Sequence, residues 1–334
     1  MQPILLGYAT GKGLDCITPE DAKRLTHINI AFGLIRDGLL SMHNLPNLKQ
    51  QLARVRALNP ELKIILSIGG WGAGGFSLMS RTKEGRDAFA ESVRKVIEEY
   101  ELDGVDIDWE YPCNDAAEID CDPSDKENFT HLMQAMRDAA GPDRIVSIAA
   151  GGGDYFVRDT EMDKVAQICD YIQLMTYDLN WEHKVTRHHT SLYALENSYA
   201  EGNADYCTKL FHKAGVPMEK IVLGAAFYSR KWQGVQADNN GLLQPTETLG
   251  GYGPHYAELQ ANCINKNGFV RYWDDHAKAP YLFDGSTFIS YDDEKSIKEK
   301  CKYVLDNGLL GLMYWEHSCD PTGELLKACY DGLR

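Results

Sequence analysis

The chain lacks long hydrophobic runs and clusters of basic residues. An apolar run such as residues 64–66 is bounded by Lys63 and Ser67, far short of the roughly 18 residues that a membrane helix needs. The 49 acidic residues outnumber the 34 basic ones, and the formal net charge is −15. Phosphate binding needs clustered Lys and Arg. We therefore expect neither a membrane-spanning protein nor a nucleic-acid partner.

The chain also lacks CxxC pairs, and its first residues, MQPILLGY, do not form a basic segment followed by a long apolar one. The cysteines number nine, an odd count that favours free thiols in a reducing compartment. We therefore expect a cytoplasmic protein without a signal peptide. Removal of a signal would make the location extracellular, and Cys113 could then pair with Cys121.

Eight short apolar runs recur along the chain, with helical stretches between them. The runs are residues 3–8, 27–32, 63–69, 104–108, 144–150, 171–177, 220–227 and 309–315. Because they are too uniformly apolar to alternate in polarity, they indicate strands buried on both faces, as in a parallel sheet. Thr18 before Pro19, and Ser124 before an amphipathic stretch, mark helix starts. The alternation predicts an α/β fold, a (β/α)8 barrel.

One connection is too long for a single crossover helix. About 80 residues separate the seventh and eighth runs, and residues 231–291 are rich in Gly, Tyr and Asn with short strand-like pieces. We predict a small α+β insertion domain at 231–291. The barrel is then formed by residues 1–230 and 292–334.

The stretch DGVDIDWEYP, at residues 103–112, places acids within the fourth predicted strand. Alternate side chains share a face of a strand, so Asp106, Asp108 and Glu110 point one way and Trp109 points the other. Three ionised carboxylates in such a column repel one another and lose hydration. Asp103 has the opposite parity, and we expect it to stabilise the barrel. A column this costly predicts a functional site.

The ends of the predicted strands are rich in aromatic and charged residues, and in such barrels the active site lies after these ends. The residues are Trp71, Tyr111, Tyr177, Asp178, Tyr228, Arg230 and Trp315. Aromatic faces with polar edges suit sugars, which present apolar C–H faces and a rim of hydroxyls. The pattern favours a carbohydrate ligand.

Three motifs together resemble glycoside hydrolase family 18, the chitinases and their relatives. Asp103, Asp106, Asp108 and Glu110 match its DxxDxDxE signature, residues 67–70 match SxGG, and residues 175–178 match MxYD. The segment 231–291 is similar to the insertion domain that many chitinases carry. The resemblance implies a chitinase-type enzyme acting on chitin or chito-oligosaccharides.

The resemblance also implies roles for individual residues. Glu110 would donate a proton to the glycosidic oxygen and later act as a base toward water. Asp108 would hold the N–H of the substrate's acetamido group, and Tyr177 its carbonyl oxygen. Asp106 would share a proton with Asp108. Tyr8 and Ser67 are implied as supports of Asp106, and Trp315 as the floor of the cleavage subsite. The implied lining of that subsite is Met175, Asp178, Tyr228, Arg230 and Tyr111. Trp71 and Trp232 are implied as outer platforms.

The family mechanism uses the substrate's own acetamido oxygen as the nucleophile. We accordingly expect no cofactor and no metal, and we expect a monomer. Three alternatives stay open: a non-catalytic chitinase-like lectin, an endo-β-N-acetylglucosaminidase or wall-glycan hydrolase of the same family, and a metal-dependent enzyme. His188 and His189 we interpret as part of a loop over the groove.

Overall fold

The computed structural model describes residues 2–196 and 201–334. The strands are β1 (Ile4–Ala9), β2 (His27–Arg36), β3 (Leu39–Ser41), β4 (Lys63–Gly69), β5 (Gly104–Asp108), β6 (Ile145–Gly151), β7 (Tyr171–Met175), β8 (Ile221–Ala226), β9 (Tyr228–Gln233), β10 (Gly251–His255), β11 (Val270–Asp274), β12 (Ala279–Phe283), β13 (Thr287–Ser290) and β14 (Gly311–Trp315). The helices are α1 (Gly11–Cys16), α2 (Pro19–Arg24), α3 (Leu48–Leu58), α4 (Phe76–Ser80), α5 (Lys83–Glu99), α6 (Asp125–Ala140), α7 (Asp154–Arg158), α8 (Met162–Ile168), α9 (Ala204–Lys213), α10 (Tyr256–Asn262), α11 (Glu294–Asp306) and α12 (Glu324–Gly332).

Eight parallel strands form a closed barrel. Their order is β1, β14, β8, β7, β6, β5, β4, β2, and the pairing of β1 with β2 closes the ring. All eight coincide with the apolar runs of the sequence, so the predicted (β/α)8 fold is confirmed. The strand β3 was not predicted; it pairs antiparallel with the far end of β2.

Local capping explains where several helices begin. Thr18 and Asp21 form a reciprocal capping box at α2 with Pro19 at its first position, which satisfies two backbone N–H groups that the helix leaves open. The helix α6 begins at Asp125, directly after the predicted cap Ser124. The capping box at Thr18 fixes the turn by which the chain enters α2; the side chain of Ser124 makes no such capping bond.

A second sheet of five antiparallel strands lies in the chain between β8 and β14, in the order β10, β9, β13, β12, β11. It has a hydrophobic core of its own around Trp232, Tyr281, Phe283 and Phe288. The sheet begins at Tyr228, three residues before the predicted start of the insertion. Its status as a separate domain stays a prediction.

Other expectations concern the whole chain. Within the described ranges, no helix combines the length and apolar character needed to cross a membrane. The nine cysteines, Cys113 and Cys121 among them, are unpaired. The cellular location stays a prediction.

Candidate active site

A cleft of about 580 Å³ opens at the carboxyl ends of the barrel strands. Its walls include most of the predicted site residues: Tyr8, Trp71, Asp108, Glu110, Tyr111, Met175, Tyr177, Asp178, Tyr228, Arg230 and Trp315. Ser67 and Asp106 lie beneath it in the barrel interior, both fully buried. Asp103 lies at the opposite end of β5, where its carboxylate accepts hydrogen bonds from Ile64 N and Lys63 Nζ.

Asp106 is fully enclosed by hydrogen-bond donors. Tyr8 Oη and Ser67 Oγ donate to its Oδ2 at 2.8 and 2.7 Å, as predicted. Ser147 Oγ and Gln173 Nε2 donate to its Oδ1, both at 2.8 Å. Burial raises the pKa of Asp106, and these hydrogen bonds act against that rise. The carboxylate is thus held in one orientation from four sides.

Asp108, the next acid in the column, has a different environment. It is 3% exposed, and its Oδ1 has no hydrogen-bond partner among the described residues. Burial, followed by the charges of Glu110 and Asp106, raises the pKa of Asp108 well above its usual range. Asp108 therefore retains a proton more readily than an isolated carboxylate would, and the sharing of a proton with Asp106 stays a prediction.

Glu110 lies above Asp108 at the floor of the cleft. Burial is the main cause that raises its pKa to about 7; the charge of Asp178 adds to the rise, and a hydrogen bond with Tyr111 opposes it. A carboxyl group with such a pKa is protonated in part at neutral pH, which suits a general acid.

Aromatic side chains form the floor and walls of the cleft. The Trp315 ring stacks on Phe32 at 5.5 Å and tilts against Tyr8 at 5.7 Å. Trp71 is 55% exposed and meets Tyr111 edge to face at 6.2 Å. Trp315, packed against Phe32 and Tyr8, is thus a platform at the centre of the cleft, and Trp71 is a more exposed platform at its rim.

Tyr177 lies opposite Asp108 and Glu110. Burial, followed by the charges of those two acids, raises the pKa of Tyr177 well above its usual range, so its hydroxyl keeps its proton. The hydroxyl lies 3.8 Å from Met313 Sδ, and the ring meets Tyr228 edge to face. The geometry leaves a neutral hydrogen-bond donor beside the acids.

Asp178 and Arg230 form an ion pair in the cleft wall, with Arg230 Nε donating to Asp178 Oδ1 at 2.7 Å. The Arg230 guanidinium lies 3.9 Å from the centre of the Tyr252 ring and 5.2 Å from that of Trp181. Burial would raise the pKa of Asp178, but the contacts with His189 and Arg230 outweigh it and lower that pKa. Asp178 is therefore an anion beside Glu110.

Two predictions about the groove are wrong. Trp232 was predicted to be an outer platform, but its indole is fully buried in the core of the second sheet, where Nε1 donates to the carbonyl of His183. His188 and His189 do not cover the groove; both are buried. His188 contacts Asp274 of the second sheet, and His189 lies behind Asp178.

Several residues of the site were missed from the sequence. They are Ser147 and Gln173 around Asp106, Phe32 under Trp315, Trp181 and Tyr252 around Arg230, and His189. Ser147 and Gln173 are single polar residues inside the apolar runs of β6 and β7. A polar residue within a run that is otherwise buried is the signal that could have identified these two.

No group of three or more His, Cys, Asp or Glu side chains suited to hold a metal ion occurs within residues 2–196 and 201–334.

Comparisons with known proteins agree on one family. The protein-family model described as glycosyl hydrolases family 18 matches residues 4–320 of the chain. Chitinase A1 of Niallia circulans is 39% identical over 82% of this chain, which spans 43% of that protein, and chitinase B of Serratia marcescens is 31% identical over 93% of this chain and 77% of its own length. The solved structure of a family 18 N-acetylglucosaminidase from Paenibacillus barengoltzii superposes with a TM-score of 0.96 at 49% identity, covering 99% of both chains.

Proposed function

The chain belongs to family 18 of the glycosyl hydrolases and to its chitinase class, and from this premise we propose that it cleaves β-1,4 linkages between N-acetylglucosamine units with retention, by substrate-assisted catalysis. One observation carries the proposal. Glu110 is the acid at the cleft floor with a pKa of about 7. Among the described residues, each other carboxylate near it is committed elsewhere or adjacent to it: Asp106 is enclosed by four donors, Asp178 is paired with Arg230, and Asp108 is two residues from Glu110 in the chain.

The first chemical step needs an acid and an internal nucleophile. Glu110 protonates the glycosidic oxygen while the acetamido oxygen of the sugar that carries the scissile bond attacks its own anomeric carbon. The glycosidic C–O bond breaks, the following sugar leaves as an alcohol with the proton from Glu110, and an oxazolinium intermediate remains. Tyr177 donates its hydroxyl hydrogen bond to that acetamido oxygen, while Asp108 accepts from its N–H. Water then attacks the anomeric carbon as Glu110 removes the water's proton. The bond from that carbon to the acetamido oxygen breaks, which restores the acetamido group and gives the free sugar.

The substrate is a chain of N-acetylglucosamine, namely chitin or a chito-oligosaccharide. Trp315 supplies the platform under the sugar at the cleavage point, and Trp71 a more exposed one further along the cleft. The segment 231–291 acts as an insertion domain and contributes Tyr252 to the cleft wall, beside Tyr228 and Arg230. We propose that the protein acts as a monomer.

A second candidate reaction is the release of single N-acetylglucosamine residues. It is favoured by the similarity to the Paenibacillus barengoltzii N-acetylglucosaminidase, at 49% identity over 99% of both chains. The chemistry at Glu110 would be the same. Only the position of the cut along the substrate would differ.

Hydrolysis of an N-acetylglucosamine hexamer tests both candidates. Chromatography of early products gives the position of the cut: dimers with tetramers, or trimers, indicate internal cleavage, and monomer with pentamer indicates terminal release. Proton NMR of fresh product should show the β-anomer first, because two inversions occur at one carbon.

The proposed mechanism also requires an acetyl group on the sugar at the cleavage point. A fully deacetylated hexamer should resist hydrolysis. The mechanism is wrong if the α-anomer appears first or if deacetylated chains are cut equally well. Tight binding of the acetylated hexamer without any cleavage would identify a lectin instead.

A further inference from the structure

The buried histidine His189 lies directly behind Asp178. Its Nδ1 is 3.3 Å from the backbone nitrogen of Asp178, which donates to it, and 3.5 Å from Asp178 Oδ1. The imidazole ring lies 5.4 Å from the ring of Tyr228. No part of the His189 side chain is exposed. The histidine therefore contacts the cleft wall from the side away from the cleft.

The backbone at Asp178 is held in an unusual conformation. Its φ is +54°, in the left-handed region that residues other than glycine seldom adopt. His189 accepts the N–H of Asp178, and the backbone carbonyl of His189 accepts the N–H of Leu179 at 3.0 Å. Arg230 holds the carboxylate from the other side. Together these contacts fix both the backbone and the side chain of Asp178.

The protonation of the His189 ring follows from its contacts. Since Nδ1 accepts from the Asp178 N–H, the neutral ring carries its proton on Nε2, which has no partner in the described part of the chain. Burial lowers the pKa of His189, which keeps the ring neutral. An unpaired buried N–H is unfavourable, so an apolar side chain would fill this space at lower cost. The acceptor at Nδ1 is the feature that an apolar side chain would lack.

We infer that His189 is a positioning residue for the hydrolysis: it fixes Asp178 in the cleft wall, and through Asp178 it controls the environment of Glu110. The inference rests on the proposed function, since it concerns the same reaction. His189 itself does not contact the cleft; the residues that line the cleft are Asp178, Tyr228 and Arg230.

His189 contacts Asp178, and the charge of Asp178 acts on Glu110. The charged and titratable groups facing His189 are Asp178, Arg230, Tyr228 and Asp292. Glu110 faces Asp108, Asp178, Tyr111, Tyr155, Tyr177 and Tyr252. The anion of Asp178 raises the pKa of Glu110. If the Asp178 carboxylate turned away, the pKa of Glu110 would fall, and Glu110 would lose its proton at lower pH.

The neighbouring histidine provides a matched control. His188 is as deeply buried as His189, but its Nε2 lies 3.2 Å from Asp274 and its ring packs on Tyr281 and Phe288. It has no contact with Asp178 in the described structure. The experiment compares His189→Leu, His189→Asn and His188→Leu by the pH profile of kcat/KM on an N-acetylglucosamine oligomer and by thermal unfolding.

His189→Leu should lower kcat/KM on the order of 10- to 100-fold, the scale of a misplaced active-site group, and should move the alkaline limb of the profile to lower pH. Asparagine can place an amide oxygen near the position of Nδ1, so His189→Asn should restore most of the activity and the original limb. His188→Leu should reduce the melting temperature and leave the profile in place.

Three results would overturn the inference: a wild-type profile for His189→Leu, the same shift for His188→Leu, or no rescue by His189→Asn. These results are read against an active wild-type enzyme. A wild type that cleaves no N-acetylated oligomer would contradict the proposed function instead.

Discussion

Three acids of one sequence column differ because each has different neighbours. Asp106 is surrounded by donors, Asp108 has an oxygen without a partner, and Glu110 lies at the cleft floor beside the anion of Asp178. Their shared strand accounts for the alignment of the column. Side chains from other strands account for the differences in protonation.

The replacement Glu110→Gln should remove turnover and keep binding. The amide has the shape of the acid but cannot deliver the proton, and a general acid typically contributes about 10² to 10⁴ in rate. Hydrolysis assays and calorimetric titration with a chito-oligosaccharide measure the two properties. Near-normal activity of the variant would show that another group is the acid.

The wild-type activity should decline as the pH rises through about 7, where Glu110 loses its proton. The reaction needs the protonated form, so the alkaline limb of kcat/KM reports the pKa of Glu110 in the free enzyme. Asp108→Asn removes a carboxyl group that interacts with Glu110, since the charge of Glu110 raises the pKa of Asp108. The variant should shift the limb as well as reduce turnover. An unshifted limb in Asp108→Asn would argue against the coupling.

The raised pKa of Glu110 also has a cost in stability. The folded protein holds this proton up to a pH of about 7, whereas the unfolded chain releases it near 4.5, so stability falls as the pH rises between these values, by about 3 kcal/mol. The side chain of Glu110→Gln does not titrate. The unfolding free energy of this variant, relative to that of the wild type, should therefore be about 3 kcal/mol higher at pH 8 than at pH 4. Urea unfolding at both pH values measures it.

The exposed Glu61 gives the comparison for this stability measurement. The unfolding free energy of Glu61→Gln should differ from that of the wild type by the same amount at pH 4 and at pH 8. If Glu110→Gln also behaves in that way, its carboxyl is not held in a protonated form by the fold.

At the scale of elements, the strand β9 shows why Trp232 is not the outer platform that the resemblance implied. Tyr228, Arg230 and Trp232 share one face of this strand by parity, and the first two line the cleft. At Trp232 the same face is covered, since the indole packs against Gly250 and donates to the carbonyl of His183. The strand runs out of the cleft and into the core of the second sheet.

The two tryptophans Trp232 and Trp71 should respond in opposite ways to replacement by alanine. Trp232→Ala creates a cavity in a buried core and should cost about 3–5 kcal/mol in the unfolding free energy. Trp71→Ala removes an exposed ring and should leave stability nearly unchanged while weakening the binding of long oligosaccharides. Denaturant unfolding and calorimetric titration of both variants check this. Loss of binding in a folded Trp232→Ala protein would restore the platform interpretation.

At the scale of the whole molecule, the barrel could be predicted because its signals are local. The eight buried strands are visible in the sequence as eight apolar runs. Asp106 and Asp108 lie within one of them, and Glu110 follows two residues after its end. Ser147 and Gln173 could not be assigned in the same way, because they reach Asp106 only after strands far apart in sequence are joined in the ring. The hairpin strand β3 was missed because it has three residues and is partly exposed.

Activity should be insensitive to chelation. The proposed chemistry uses Glu110 and the substrate's acetamido group, and neither step requires a metal ion. Hydrolysis rates before and after treatment with EDTA, followed by dialysis, check this expectation. Activity that is lost with EDTA and restored by added Mg²⁺ would support the metal-dependent alternative.

The four donors to Asp106 come from four different strands: Tyr8 from β1, Ser67 from β4, Ser147 from β6 and Gln173 from β7. They converge only when β1 has joined its neighbours and the ring is complete. The active site is therefore a cooperative product of barrel closure rather than a property of any local segment. During refolding, catalytic activity should return with the last global phase and not with the earlier formation of helices and single strands.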